Sequence, residues 1–301
     1  IINFFHIANS NETYFTNDKG FFKDVIDSLQ YSFPLPDINL FQHLLQIIEC
    51  LIVYGYDIID DFCETIFTYS MNCFDIPNPE FIEAALYLWS EIAKFEFLTI
   101  VKTPESVKDI VEKSSEAILQ ICKNIFDTAK LSEVLNYNSD IYSLVTTAQT
   151  TITNFFKCAP KTVFQIITQK FQIFEKESSP FTTFCFLSSI AVETNLNHFS
   201  KQFLLFVHEN WSNIILLEQN IISEPDLIQN VDATVTRVYA LTTIKKLIDT
   251  FKPMPRLLIQ QTILEEPTKK LDDIFNLIKS CQERLANEHP AILTCYARLI
   301  G

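Results

Sequence analysis

Four acidic side chains lie among apolar residues in one short stretch of the sequence. They are Asp57, Asp60, Asp61 and Glu64. Because an α-helix turns by about 100° per residue, a helix through this stretch brings all four within about a 100° arc, opposite an apolar stripe. Clustered carboxylates attract basic partners. We therefore predict that Asp57, Asp60, Asp61 and Glu64 form a partner-binding site for a basic protein segment.

Two other interpretations of this acidic stretch stay open. Acids in the first turn of a helix interact favourably with the helix dipole, which is a purely structural reason for Asp57, Asp60 and Asp61. Carboxylates from facing helices also bind hard cations such as Mg²⁺. A solvated helix start, a contact for a basic partner and a metal site are all compatible with the pattern.

The metal interpretation has one specific form. Asp60-Asp61-x-x-Glu64 resembles the aspartate-rich motif with which all-α isoprenoid synthases hold Mg²⁺ against a diphosphate, and Asp272-Asp273 offers a second such motif. Those synthases also use arginines and lysines, whereas no basic residue lies between positions 65 and 93. A Mg²⁺-dependent isoprenoid synthase is therefore the remote alternative. The leading expectation is a protein that is not an enzyme and holds neither cofactor nor metal.

The usage of glycine, histidine and cysteine excludes several kinds of catalytic site. Only three glycines occur in 301 residues, so a dinucleotide fingerprint, a P-loop and a nucleophile elbow are impossible. The five histidines form no H-E-x-x-H pattern. The eight cysteines form no C-x-x-C pair, which favours buried reduced thiols over a zinc site or a disulfide framework. No apolar run reaches membrane-spanning length, so we expect no membrane insertion.

The negative charge lies in one half of the chain. Residues 1–150 hold 8 Lys+Arg and 22 Asp+Glu, a net charge of −14, whereas residues 151–301 hold 15 of each. Between Lys23 and Lys94 there are twelve acids and no lysine or arginine. A nucleic-acid footprint needs a strongly positive patch. We therefore expect protein partners with basic segments and no direct nucleic-acid binding.

Proline positions divide the chain into helical segments. Between the twelve prolines, apolar residues recur with the period of a helix and not with that of a strand. Antiparallel helix pairs are predicted for 38–54 with 57–74, 79–97 with 104–128, 139–159 with 160–176, 180–195 with 198–217, 225–252 with 255–265, and 267–286 with 290–301. Most of these pairs recur at the period of about 40 to 47 residues that is typical of HEAT repeats.

These pairs predict an all-α fold in which no single hairpin can bury its own apolar stripes. Neighbouring hairpins must then stack into one continuous core. We predict a right-handed superhelical α-solenoid of about six HEAT/ARM-like antiparallel helix pairs. The chain is expected to be a single domain over 1–301, with a partial repeat at 1–33 and the hairpins over 34–301.

Acidic charge, phenylalanine-rich hairpins and scarcity of glycine resemble the importin-β (karyopherin) superfamily. The stretch Glu83-Ala84-Ala85-Leu86-Tyr87-Leu88-Trp89-Ser90-Glu91-Ile92 is similar to a repeat helix of such proteins. The resemblance implies a segment of a nuclear transport receptor, present in cytoplasm and nucleus, that binds basic cargo or an adaptor through an acidic concave surface. It also implies Ran GTPase and Phe-Gly nucleoporins as partners. The alternative is a structural HEAT scaffold of a coat, phosphatase or chromosome-associated assembly.

Overall fold

The protein is described by a computed structural model, and most of what it describes is helical. It describes Tyr56 and residues 61–175, 178–191, 197–223, 230–251 and 290–300, together with Gly20, Asp24, Asp272, Asp273, Asn276 and Lys279. Helices account for 85% of this part of the chain, which contains no strand. The predicted all-α class is therefore confirmed.

We number the helices of the described ranges in chain order. They are α1 (Cys63–Phe74), α2 (Pro79–Lys102), α3 (Ile110–Thr128), α4 (Leu131–Val134), α5 (Asp140–Cys158), α6 (Pro160–Gln165), α7 (Pro180–Ile190), α8 (Asn197–Ser223), α9 (Val231–Phe251) and α10 (Pro290–Ile300). A short 3-10 turn at Pro104–Ser106 precedes α3. None of these helices is long and apolar enough to cross a membrane.

Proline marks the start of four helices, as the sequence predicts. Pro79, Pro160, Pro180 and Pro290 each occupy the first position of a helix. Proline suits this position because the N–H group that it lacks has no partner within the first turn. At α2 the side chain of Asn78 completes the start by accepting the N–H of Glu80 at 2.9 Å.

Several predicted helix bounds are wrong. The helix predicted over 160–176 is α6 followed by one π-helical turn at Ile166–Lys170. There the N–H of Phe171 donates to the carbonyl of Ile166 at 2.9 Å, five residues back. Gln172 then takes a left-handed φ of 48°, which ends the helix because right-handed turns need a negative φ. The helix predicted over 180–195 ends at Ile190.

The chain divides into two compact units. Unit 1 comprises Ile1–Ile121 and Thr146–Cys158, and unit 2 comprises Cys122–Val145 and Ala159–Gly301. The change from one unit to the other therefore falls inside α3 and again inside α5. The single solenoid domain over 1–301 stays a prediction, and its partial repeat at 1–33 lies outside the described residues apart from Gly20 and Asp24, both helical.

Trp89 of α2 lies at the centre of unit 1. Its ring centroid is 6.0 Å from that of Phe67 on α1 and 6.3 Å from that of Phe155 on α5. Its indole N–H donates to the hydroxyl of Ser70 at 2.9 Å, so the polar edge of the ring is satisfied inside the core. Polar contacts also join α2 to α5, where the Asn154 amide donates to the Ser90 hydroxyl at 2.8 Å.

Phenylalanine rings and a helix that is buried on all sides form the core of unit 2. In α7 every residue from Phe181 to Ile190 is buried, which is typical of a central helix. The Phe126 ring of α3 packs edge-on against Phe186 with centroids 5.5 Å apart. On another side of α7, the Tyr239 ring of α9 lies 4.8 Å from Phe181.

Candidate functional site

Asp61 and Glu64 are both exposed at the start of α1. Asp57 and Asp60, the other two predicted site residues, lie outside the described residues. The sequence predicts one helix over 57–74, but α1 begins only at Cys63, because the preceding Phe62 has φ −123° and ψ −7°. Asp61 therefore precedes α1, and the alignment of the four acids along one helix face stays a prediction.

A cavity of about 590 Å³ opens beside Glu64 within unit 1. It lies between the start of α1, the middle of α2 and the start of α3. Besides Glu64, the residues that line it are Cys63, Phe67, Trp89, Ile110, Lys113 and Ser114. One of the four predicted acids thus lines a cavity that the sequence did not predict.

The floor of this cavity is apolar. Trp89 and Ile110 are almost fully buried, at 2% and 7% exposure, and Phe67 is half-buried. The hydroxyl of Ser114 is also buried and donates to the carbonyl of its own helix at Ile110, 2.8 Å away. Water in such a cavity has few polar partners, so an apolar ligand group can displace it favourably.

Among the described residues that line the cavity, the rim carries one charge of each sign. Glu64 and Lys113 are both exposed, and no ion pair joins them. The Lys113 ammonium donates to the carbonyl of Lys108 at 3.0 Å. The Glu64 carboxylate has no hydrogen-bond or ion-pair partner among the residues that the structure describes, so it is available to a cationic group.

A buried carboxylate fixes the start of α3, which forms one wall of the cavity. Glu96 of α2 is 2% exposed. Its Oε2 accepts the N–H of Ile110 at 3.0 Å, and its Oε1 accepts the N–H of Val111 at 3.2 Å. These two N–H groups stand at the helix start, where no intrahelical carbonyl reaches them. Glu96 therefore does for α3 what an N-cap side chain does for most helices.

Tyr56 completes this network. Its hydroxyl donates to Oε2 of Glu96 at 3.3 Å and accepts the N–H of Lys108 at 3.0 Å. Asp109, between Lys108 and α3, has a left-handed φ of 57°. This conformation is uncommon for a residue other than glycine, and the hydrogen bonds on both sides of Asp109 hold the backbone in it.

Burial raises the pKa of Glu96, and the hydrogen bonds from Val111, Ile110 and Tyr56 oppose this rise. Burial also raises the pKa of the Tyr56 hydroxyl, with Glu96 contributing to the rise. The Tyr56 hydroxyl therefore keeps its proton at neutral pH and can donate to Glu96. The network has a structural role, because it holds the cavity wall in place.

The sequence contains a signal for the burial of Glu96. Glu96 follows Trp89 by seven residues and Ile92 by four, so all three lie on one helix face. That face is the apolar stripe of α2, and an acid there needs a partner in the fold. The loop between α2 and α3 determines which groups bind Glu96, and the spacing of residues along α2 does not reveal them.

In the second aspartate motif, Asp272 and Asp273 have different surroundings. Asp273 accepts the indole N–H of Trp211 at 3.0 Å, and Asp272 is exposed. Among the residues described, no group of three or more His, Cys, Asp or Glu side chains is placed to hold a metal ion. Asp60, the first residue of the other motif, lies outside them.

Most thiols in the described ranges are unsuited to nucleophilic chemistry. Burial raises the pKa of Cys73 to about 12 and raises those of Cys122 and Cys185 as well. A protonated thiol is a poor nucleophile. Cys63, which lines the cavity, is half-buried and is not part of a disulfide.

No protein-family profile and no curated protein matches this sequence. Function is therefore inferred from the cavity and from the residues that support it. The cavity combines an apolar floor, one exposed carboxylate and one exposed ammonium. This combination is suited to binding a group that is partly apolar and partly charged.

Proposed function

We propose that the protein is a binding scaffold that holds a basic segment of a partner protein against Asp57, Asp60, Asp61 and Glu64. One observation carries the proposal: Asp61 and Glu64 are both exposed near the start of α1, and Glu64 lines the cavity. The sequence offers these acids no lysine or arginine between Lys23 and Lys94. A concentration of acids of this kind attracts a cationic partner.

We also propose that the helices form the right-handed α-solenoid of about six HEAT/ARM-like pairs. Side-by-side packing of equivalent helices supports it. Within unit 1, α2 contacts α5, and within unit 2, α7 contacts α9; these are first helices of successive predicted pairs. The second helices α6 and α8 also meet, where the Phe164 and Phe206 rings stack with centroids 4.5 Å apart. Such stacking is how helical repeats bury their apolar faces.

At the family level, we propose a segment of a karyopherin-like nuclear transport receptor that acts in cytoplasm and nucleus. The acidic charge, the phenylalanine-rich core and the predicted pairs support this proposal. A RanGTP binding assay on the full-length protein tests it, and we expect binding. A full-length protein that ignores RanGTP would instead favour a structural scaffold of a coat, phosphatase or chromosome-associated assembly.

A pull-down with an immobilised lysine-rich peptide tests the acidic site. We expect capture at low salt and weaker capture at physiological salt, because salt screens exposed charges. Reversal of Asp57, Asp60, Asp61 and Glu64 to lysine should weaken binding by about tenfold or more, since each exposed charge contact contributes roughly 0.2–1 kcal/mol.

A matched variant controls for the change in net charge. It reverses four acids that are exposed elsewhere: Asp75, Glu105, Glu209 and Asp272. This control should retain most of the binding, because its acids lie away from the cavity. Equal loss in both variants would mean that only net charge matters, and no loss in the site variant would contradict the proposal.

A further inference from the structure

We infer that the cavity beside Glu64 binds a large aliphatic side chain of the same partner segment. The recognised segment then contains a basic residue next to an aliphatic one. This inference rests on the proposed function and adds to it the apolar half of the motif. It identifies Phe67, Trp89 and Ile110 as the residues that contact the aliphatic side chain.

The size and lining of the cavity support an apolar occupant. Ligand cavities in proteins usually measure about 300–1,000 Å³, and this one measures about 590 Å³. Its floor presents the rings of Phe67 and Trp89 and the branched side chain of Ile110. Burial of a leucine-sized side chain against these groups removes apolar surface from water, which favours binding.

The charges on the rim determine which residues flank the aliphatic side chain. A basic residue on the α1 side meets the carboxylate of Glu64. A basic residue on the α3 side meets the ammonium of Lys113, which repels it. The segment therefore has one productive direction, with its basic residue toward α1, and charge complementarity supplies specificity beyond what an apolar cavity gives.

The cavity wall is held in place by the bonds of the folded chain. Ile110, Lys113 and Ser114 all belong to the first turns of α3, and Glu96 holds the start of that helix by two backbone hydrogen bonds. A site that is already ordered costs less conformational entropy when a ligand binds. The occupant therefore needs only a short segment and not a large interface.

Fluorescence anisotropy with three capped, labelled hexapeptides tests the inference. The first is Lys-Lys-Leu-Ala-Gly-Ser, the second replaces its leucine by alanine, and the third replaces both lysines by alanine. We expect the first peptide to bind about tenfold or more tightly than the second, because burial of a leucine side chain contributes at least that factor. The third should also bind more weakly than the first.

Three variants locate the contact. Cys63→Phe places a ring at the cavity mouth from a half-buried position and should abolish the preference for leucine over alanine. Glu64→Lys should weaken the lysine peptides, whereas Lys113→Glu should strengthen them, because the two changes have opposite signs on the same rim. If Cys63→Phe fails to fold by circular dichroism, Phe67→Ala replaces it, and the leucine preference should fall.

Failure of this inference differs from failure of the proposed function. Equal binding of the leucine and alanine peptides, still lost on reversal of the four acids, would overturn the cavity inference and leave the proposed function intact. Leucine preference that persists in both Cys63→Phe and Phe67→Ala would place the apolar contact elsewhere and also overturn it. If none of the peptides binds, both the inference and the proposed function fail.

Discussion

Two helices of this protein carry the same short pattern, Trp-Ser-x-Ile-x-x-x-Glu, at residues 89–96 in α2 and 211–218 in α8. In both, the tryptophan donates its indole N–H to a side-chain oxygen, from Ser70 in one case and Asp273 in the other. In both, the final glutamate is buried, at 2% and 0% exposure. The two glutamates nevertheless have opposite surroundings.

The carboxylate of Glu96 accepts three hydrogen bonds, from Tyr56, Ile110 and Val111. Neither carboxylate oxygen of Glu218 has a hydrogen-bond partner among the residues that the structure describes. The same pattern therefore yields a satisfied carboxylate in unit 1 and an unsatisfied one in unit 2. Whether a buried acid stabilises a fold depends on which N–H groups the neighbouring backbone leaves free.

The helix that follows each glutamate begins with a different cap. In α9, Asn230 caps its own helix, because its side-chain oxygen accepts the N–H groups of Asp232 at 3.1 Å and Ala233 at 3.4 Å. At α3 the N–H groups of the first two residues, Ile110 and Val111, are bound by Glu96. The start of α9 is therefore capped by a residue next to it, whereas the start of α3 depends on Glu96 from another helix.

Replacing the satisfied carboxylate should give the largest effect. We expect Glu96→Leu to lower the free energy of unfolding by about 3–5 kcal/mol, because it leaves two backbone N–H groups and the Tyr56 hydroxyl buried without an acceptor. Urea unfolding measures this change. Glu91→Leu, on the same helix, is the matched control and should change stability by less than about 1 kcal/mol. A loss from Glu96→Leu as small as that of the control would contradict the account.

The same substitution at the buried glutamate of unit 2 should change the free energy of unfolding in the opposite direction. Glu218→Leu should raise the free energy of unfolding by roughly 2 kcal/mol at pH 7, because it replaces an unsatisfied buried carboxyl by an apolar group of similar volume. The two leucine variants are compared in one urea experiment. A destabilised Glu218→Leu would show that this carboxyl has a stabilising partner.

The pH dependence of stability separates the two carboxyls further. Burial raises the pKa of Glu218 well above its ordinary value of 4.5, and no interaction opposes the rise. Between these two pKa values the folded state holds a proton that the unfolded state releases. The contribution of Glu218 to the free energy of unfolding is therefore largest below about pH 4.5 and is lost as the pH rises through the folded pKa. The stability of Glu218→Gln relative to the wild type should therefore increase above pH 4.5, by at most about 1.4 kcal/mol per pH unit. A constant difference between pH 4.5 and 8 would contradict this.

The cap of α9 provides the smallest test. Asn230→Ala should lower the free energy of unfolding by about 1 kcal/mol, because it removes the acceptor of the Asp232 and Ala233 N–H groups. Thermal unfolding followed by circular dichroism measures it. Asn230→Asp keeps the acceptor and should be close to wild type. If Asn230→Ala were also neutral, the Asn230 side chain would not be the cap that stabilises the start of α9.

Much of the helical architecture could be predicted from the sequence, because it follows from local rules. Proline at a helix start and apolar residues at helical spacing depend only on neighbours along the chain, and Pro79, Pro160 and Pro180 were correct markers. The ends were harder to predict. Gln172 stops its helix by a left-handed backbone, and nothing in its residue type indicates this.

The candidate site could be predicted only in part. Glu64 was predicted as a surface acid, and it is one, but the cavity beside it depends on contacts between residues far apart in sequence. Glu96 and Glu218 illustrate the limit most clearly, because identical spacing from a tryptophan gives one bonded and one unsatisfied carboxyl. For Glu96 the partners come from the start of α3 and from Tyr56, which the spacing along α2 does not reveal.

Buried Glu96 holds the start of α3, and with it one wall of the proposed binding cavity. The most direct test measures the dissociation constant of the Lys-Lys-Leu-Ala-Gly-Ser peptide for the wild type, Glu96→Gln and Glu218→Gln. We predict that Glu96→Gln weakens binding by about threefold or more, since a glutamine amide offers only one acceptor oxygen to the two backbone N–H groups that Glu96 binds, and that Glu218→Gln binds as the wild type does. Equal affinities for all three proteins would contradict the claim.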